Sequence, residues 1–204
     1  FVGGNHGDEY EGPISLIKFI QKTKKSDVNG QIIIIPSLNF PAVESADRVS
    51  PIDGLNMNRT FPGKWDGSVS EMIADFVQRQ ILPYVNVVVD FHSGGKTLNL
   101  LPLIMMHKIK DKKIFDEIKK AMLAFNAPIS LIFEELDMIG MLDKSVEDMG
   151  KIFLSTELGG GGNANVDNIK IADKGLINIL KHFKIFKNLS KKNKKNIINT
   201  ILLE

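Results

Sequence analysis

The chain has no cysteine, which removes disulfides, thiolate metal sites and a cysteine nucleophile in one step. Any metal must therefore be held by His, Asp or Glu. Arginine is scarce as well, with three residues against 23 lysines, so the places where it persists are informative. Long hydrophobic runs are missing: none approaches the roughly 20 apolar residues of a membrane-spanning helix, and the longest, such as 31–36, have the length of a strand. No charged segment followed by an apolar one marks a secretory signal. These absences make a soluble protein the expectation, with cytoplasmic as the default location and no membrane partner. What is present, 204 residues with 43% hydrophobic and 25% charged, suffices for one sizeable core.

The net charge of +2 hides an asymmetry. Residues 181–204 carry seven Lys and one acid, a balance of +6, which leaves the body of the chain at −4. The basic excess belongs to a Lys/Asn-rich tail, read as a solvated linker and not as a nucleic-acid surface. A nucleic-acid role through that tail would show steep salt dependence carried by residues 187–204 alone. The opening Phe-Val-Gly-Gly reads as the middle of a strand-to-loop transition, so a chain truncated at its start is expected. The polar 188–204 segment reads as a linker into an absent second domain, leaving 1–187 as the folded unit.

Strand and helix patterns alternate along that unit. Residues 1–4 read as a strand end, 11–25 as an amphipathic helix, 31–37 as a continuous β-branched run typical of a buried strand, and 70–82 as a second helix. Residues 85–91, 101–106, 129–133 and 151–156 read as further strands, with helices at 111–125 and 171–186. About thirty irregular residues separate 37 from 70, and a loop of that length in a compact domain usually carries function. The alternation predicts an α/β sandwich with a doubly wound, mostly parallel sheet.

Chemistry concentrates at predicted strand ends, where open α/β sheets bind ligands. His6 and Glu9 lie three apart in the loop after the first strand, and His92 directly follows the strand 85–91. Two histidines and one glutamate suit zinc with a position left for water; taken alone, the His6–Glu9 pair reads as a solvated loop pair, and its place with His92 at strand-to-loop junctions is what points to a metal. Asp90, two residues before His92, shares its side of the strand and could orient a ligand or be merely structural. His107, in an apolar segment, and His182, in a Lys-rich helix end, read as non-ligands. Glu157 follows another strand and precedes Gly159–Gly162, so it could be a general base or a surface carboxylate before a flexible loop. Arg59 with Asn58 could clamp a substrate carboxylate, and Arg48 a developing oxyanion. Arg79, with acids upstream on its helix, reads as solvated.

Four segments in this order, GGNHGDEYEG, DGLNMNRTFPG, DFHSGGKT and TELGGGG, resemble the succinylglutamate desuccinylase/aspartoacylase family of the zinc carboxypeptidase-like superfamily. The resemblance covers Gly3 to about Phe186. It implies a three-layer sandwich around a mixed sheet, with a strand or more before Phe1 and a smaller β-rich domain after the linker. It further implies that His6, Glu9 and His92 bind one zinc, that Glu157 is base and then acid, that Asn58 and Arg59 hold the substrate carboxylate, and that Arg48 polarises the scissile carbonyl. Within the family the extended motifs look most like N-acetyl-L-2,4-diaminobutyrate deacetylases, which implies hydrolysis to acetate and the free amino acid. The second ammonium of such a substrate needs an acidic partner, for which Glu134, Glu135 and Asp137 are available unless they form a solvated turn. A desuccinylase or aspartoacylase activity is the alternative, with Lys96 as a cation for a second carboxylate, and a non-catalytic metal-binding protein is another. The partner is thus a small N-acyl amino acid; a homo-oligomer is left open.

Overall fold

The structure is a computed structural model that describes residues 1–134, 138–187 and 201–203. Its strands are β1 (Val2–Gly3), β2 (Val87–His92), β3 (Leu103–His107), β4 (Ile129–Phe133), β5 (Ile152–Glu157) and β6 (Ile201–Leu203). Its α-helices are α1 (Glu11–Lys22), α2 (Phe40–Ser45), α3 (Val69–Phe76), α4 (Lys112–Phe125), α5 (Leu142–Asp148) and α6 (Val166–His182). The strands form one sheet in the order β1-β2-β5-β3-β4-β6. Neighbours run parallel except at β3 and β5, where the two blocks meet antiparallel.

Side chains alternate across a sheet, and here the two faces feed two apolar layers. Val89, Phe91 and Leu154 pack with Leu16 of α1, Met122 and Phe125 of α4, and Leu176 of α6. Val88 and Phe153 pack on the opposite side with Met57, Phe61, Leu142 and Val146. The expected sandwich with a mixed, mostly parallel sheet is therefore observed. Among the described residues no helix is long and apolar enough to cross a membrane.

Helix limits follow their caps. Asp111 accepts the N–H groups of Lys113 and Ile114, and Asn126 ends α4 in the left-handed conformation. Asn165 does the same for Asp167 and Asn168, so α6 starts five residues before its apolar periodicity becomes visible. The expected helix over 70–82 is regular only to Phe76 and then passes through a π turn (Val77–Ile81) into a 3₁₀ turn ending at Tyr84. Pro83, which lacks an N–H, marks where it cannot continue. The predicted helix over 11–25 ends at Lys22.

The run 31–37 is not a buried strand. It lies along β1 through Phe1 N–H to Ile33 O, Ile35 N–H to Phe1 O and Gly3 N–H to Ile35 O, but only Val2 and Ile35 form a bridge pair and its side chains stay half-buried. The run still packs, Ile32 and Ile34 against one apolar layer and Ile35 against the other, but among the described residues its ladder is limited to that one pair. Residues 188–200, read above as a linker, lie outside the described residues. The apolar Ile201–Leu203 beyond them pairs with β4 at the sheet edge.

Gly175 shows how tightly α6 seats. A Cβ there would lie 2.1 Å from the Phe125 ring, although glycine inside a helix normally gains from replacement by alanine. Gly175→Ala should therefore destabilise, by about 1–3 kcal/mol, measured by urea denaturation; a stabilised variant would show that the ring has room to move.

Candidate metal centre and active site

β1 ends at Gly3, and the loop after it turns back over the carboxyl end of the sheet. The turn has no room for side chains at its glycines: a Cβ on Gly7 would sit 1.8 Å from the carbonyl oxygen of Ala42. Glu9 closes this loop and His6 lies at its centre, both buried. His92 is the last residue of β2 and shares its face with Val88 and Asp90; on β5 the same face carries Phe153, Ser155 and Glu157. Register places His92 beside Glu157 and Asp90 beside Ser155. Two distant motifs thus become cross-strand neighbours at one end of one face.

The donor atoms of His6, Glu9 and His92 lie within 4.8 Å of one another. His6 Nδ1 is 2.7 Å from one Glu9 oxygen and His92 Nδ1 is 2.9 Å from the other. The outer ring nitrogens fix the tautomers. His6 Nε2 lies 3.0 Å from Asn56 Oδ1, which also accepts the Asn58 N–H. His92 Nε2 lies 2.9 Å from Asp90 Oδ2, which also accepts from Asn5. Both outer partners are acceptors, so with a cation among the three donors each ring would keep its proton outward and turn a lone pair inward, in place of its Nδ1–Glu9 contact. Two inward imidazole lone pairs and a carboxylate fit a divalent ion such as zinc. Burial alone would push the Glu9 carboxyl up, but the two imidazoles beside it hold it at about 2, so it stays ionised.

Glu157 is the complementary case. Burial pushes its carboxyl up to about 7, opposed by His92 and reinforced by Glu9. Its Oε2 is buried with no hydrogen-bond partner among the described residues. It lines a cavity of about 500 Å³ together with the three donor residues, Arg48, Asn58 and Arg59. Arg48 stands at the mouth, half-exposed, with Nη1 3.3 Å from Glu9. Arg59 donates one N–H to the Asn58 carbonyl, and Asn58 Oδ1 accepts the N–H of Leu142, which leaves its amide NH₂ as the donor it can offer a ligand. All seven residues singled out from the sequence therefore meet in one cavity.

Other expectations fall elsewhere. Asp90 does touch a candidate ligand, as its place on the strand suggested. His107 binds Glu147 at 2.9 Å and lies apart from the His6–Glu9–His92 cluster, and His182 meets Phe183 edge to face. Lys96 is exposed and paired with Asp47. Glu134 is exposed and paired with Lys108; Glu135 and Asp137 lie outside the described residues. Sequence reasoning missed Asn56, although it stands inside the same motif as Asn58. It also missed Asp143, which lines the cavity from a short helix without a periodic signature.

A mixed α/β sandwich with a His-Glu-His cluster at the carboxyl end of its sheet defines a protein of carboxypeptidase-like architecture. The match is more particular than that: the model of the succinylglutamate desuccinylase/aspartoacylase catalytic domain matches residues 1–183, and the chain belongs to this family. It is 44% identical over 182 residues to the N-alpha-acetyl-L-2,4-diaminobutyric acid deacetylase of Halomonas elongata, covering 89% of this chain and 53% of that protein. The chain thus spans about half the length of that relative. Among solved structures it resembles the product-bound ectoine utilization protein EutE (DoeB) from Ruegeria pomeroyi, with TM-score 0.92 and 45% identity over 100% of this chain and 61% of that one. A succinylglutamate desuccinylase from Silicibacter sp. TM1040 is also similar, with TM-score 0.90 and 48% identity over 94% and 58%.

Proposed function

We propose that the protein hydrolyses the amide of N-α-acetyl-L-2,4-diaminobutyrate to acetate and the free diamino acid, using one zinc held by His6, Glu9 and His92. The observation that carries the reaction class is the buried oxygen of Glu157, without a hydrogen-bond partner among the described residues, beside that donor set. The substrate rests on the likeness to the Halomonas deacetylase and to EutE. Zinc, when bound, supplies Lewis acidity and lowers the pKa of a bound water.

The side chains do the rest. Arg59 and the Asn58 NH₂ bind the α-carboxylate and hold the acyl group toward Glu157. Glu157 takes the proton from the attacking water as its oxygen bonds to the acyl carbon. Arg48 donates to the developing oxyanion. As the C–N bond breaks, Glu157 returns the proton to the departing nitrogen, so acetate and amine leave in balance.

Lys96 is held by Asp47 and does not line the cavity, which supports an acetyl over a second-carboxylate acyl group. Acetate release from N-α-acetyl-L-2,4-diaminobutyrate, compared with turnover of N-succinylglutamate and N-acetylaspartate, tests the reading. Acetate release should dominate; faster turnover of either other substrate would replace it.

A further inference from the structure

The wall of the cavity carries a charge that the reaction does not use. Asp143, in the first turn of α5, is 6% exposed and faces the cavity. Its Oδ1 accepts the N–H of Lys144, while Oδ2 lies 3.8 Å from His107 Nε2, beyond hydrogen-bond reach. Burial pushes its carboxyl above the ordinary range, His107 opposing the shift and Glu147 and Asp90 adding to it. Met105, Phe133, Met141 and Phe153 supply apolar lining to the same cavity. A buried carboxylate set beside these apolar side chains, with His107 no nearer than 3.8 Å, suits a short methylene chain that ends in an ammonium.

Its position relative to the carboxylate clamp is fixed. Leu142 donates its N–H to Asn58 Oδ1 at 3.0 Å, and Phe61 donates to Gly140 O at 2.9 Å. Gly140 packs so closely that a Cβ would lie 2.3 Å from the Arg59 carbonyl oxygen. The segment bearing Asp143 and the Asn58–Arg59 pair are therefore one rigid wall. Of the acids that the sequence offered for this role, Glu134 is two-thirds exposed and already paired with Lys108.

We propose that Asp143 binds the free side-chain ammonium of a diamino-acid substrate and so selects it over monoamino analogues. This rests on the deacetylase reading above. The test compares kcat/KM for N-α-acetyl-L-2,4-diaminobutyrate and for N-acetyl-L-2-aminobutyrate, which lacks that amine, in the wild-type protein and in Asp143→Asn. The wild type should favour the diamine substrate by about a hundredfold or more, and Asp143→Asn should bring the ratio to within a few-fold of one. Inhibition of the wild type by 2,4-diaminobutyrate and by 2-aminobutyrate needs no variant and should show the same preference. If the variant slows both substrates alike, or keeps the ratio, while the two amino acids inhibit the wild type equally, Asp143 has no such role although acetate is still released. If the wild type releases acetate from neither substrate, the deacetylase reading itself fails and takes this proposal with it.

Discussion

Replacing Glu157 by Gln should lower kcat by about 10²- to 10⁴-fold while leaving bound zinc in place. Gln keeps the size and shape of the side chain but has no oxygen that can take a proton, and Glu157 is outside the three-residue donor cluster. The carboxyl is suited to move protons because burial brings it up to about 7. A bound cation would pull that value down, so wild-type turnover should rise with pH along a limb below 7. The same burial makes the zinc-free fold sensitive to pH. Between about 4.5 and 7 the folded chain keeps a proton on Glu157 that the unfolded chain releases, so stability falls as pH rises through that window. The full difference is roughly 3 kcal/mol, and Glu157→Gln abolishes it. Urea unfolding of zinc-free wild type and variant at pH 4.5 and 8 reads the stability effect, and elemental analysis with acetate release reads the catalytic one. A variant that retains full turnover, or one that loses its zinc along with its activity, would remove Glu157 from the role of base.

Much of this site was legible because its residues are bound to strand ends. A histidine after a buried apolar run, or a carboxylate before consecutive glycines, is poor core material, and its place at a carboxyl edge follows from the run itself. Alternation then gives the side: Asp90 could be set beside His92 from spacing alone, and the 2.9 Å contact follows. What could not be read was contact between strands. Nothing in the sequence says that residue 92 lies beside 157; only the pairing of β2 with β5 does. Asn56 was hidden for a similar reason, since its value comes from meeting His6 fifty residues away.

The fold failed to show itself where local signals and tertiary packing disagree. The run 31–37 has the composition of a central strand, yet among the described residues it forms a ladder pair only at Val2 and Ile35. The irregular stretch after it conceals α2, which Asn39 caps and Pro41 starts, because six residues are too few to display a period. The same shortness hid α5 and with it Asp143. Helix ends set by a polar cap, as at Asn165, were mislocated by methods that follow apolar spacing.

Stripping the metal with a chelator should abolish hydrolysis without unfolding the protein, and one equivalent of zinc should restore it. The fold should survive because the three donors do not depend on an ion for partners. Glu9 lies within 3 Å of both imidazole Nδ1 atoms, at 3.3 Å from Arg48, and accepts the Ser93 N–H. Metal must compete with protons for this site: burial works against the charge on His92, but Asp90 and Glu9 raise its pKa well above the ordinary value. Zinc affinity should therefore weaken as pH falls. With zinc at a thousandfold excess over its Kd, binding only to the folded state adds about 4 kcal/mol, which for a chain of this size raises Tm by about 10 °C. Glu9→Ala removes the carboxylate between the two rings and should lose both the thermal shift and the reactivation. Full turnover in protein shown by elemental analysis to be metal-free would end the metal assignment. A Glu9→Ala variant that zinc stabilises as much as wild type would instead move the ion away from His6 and His92.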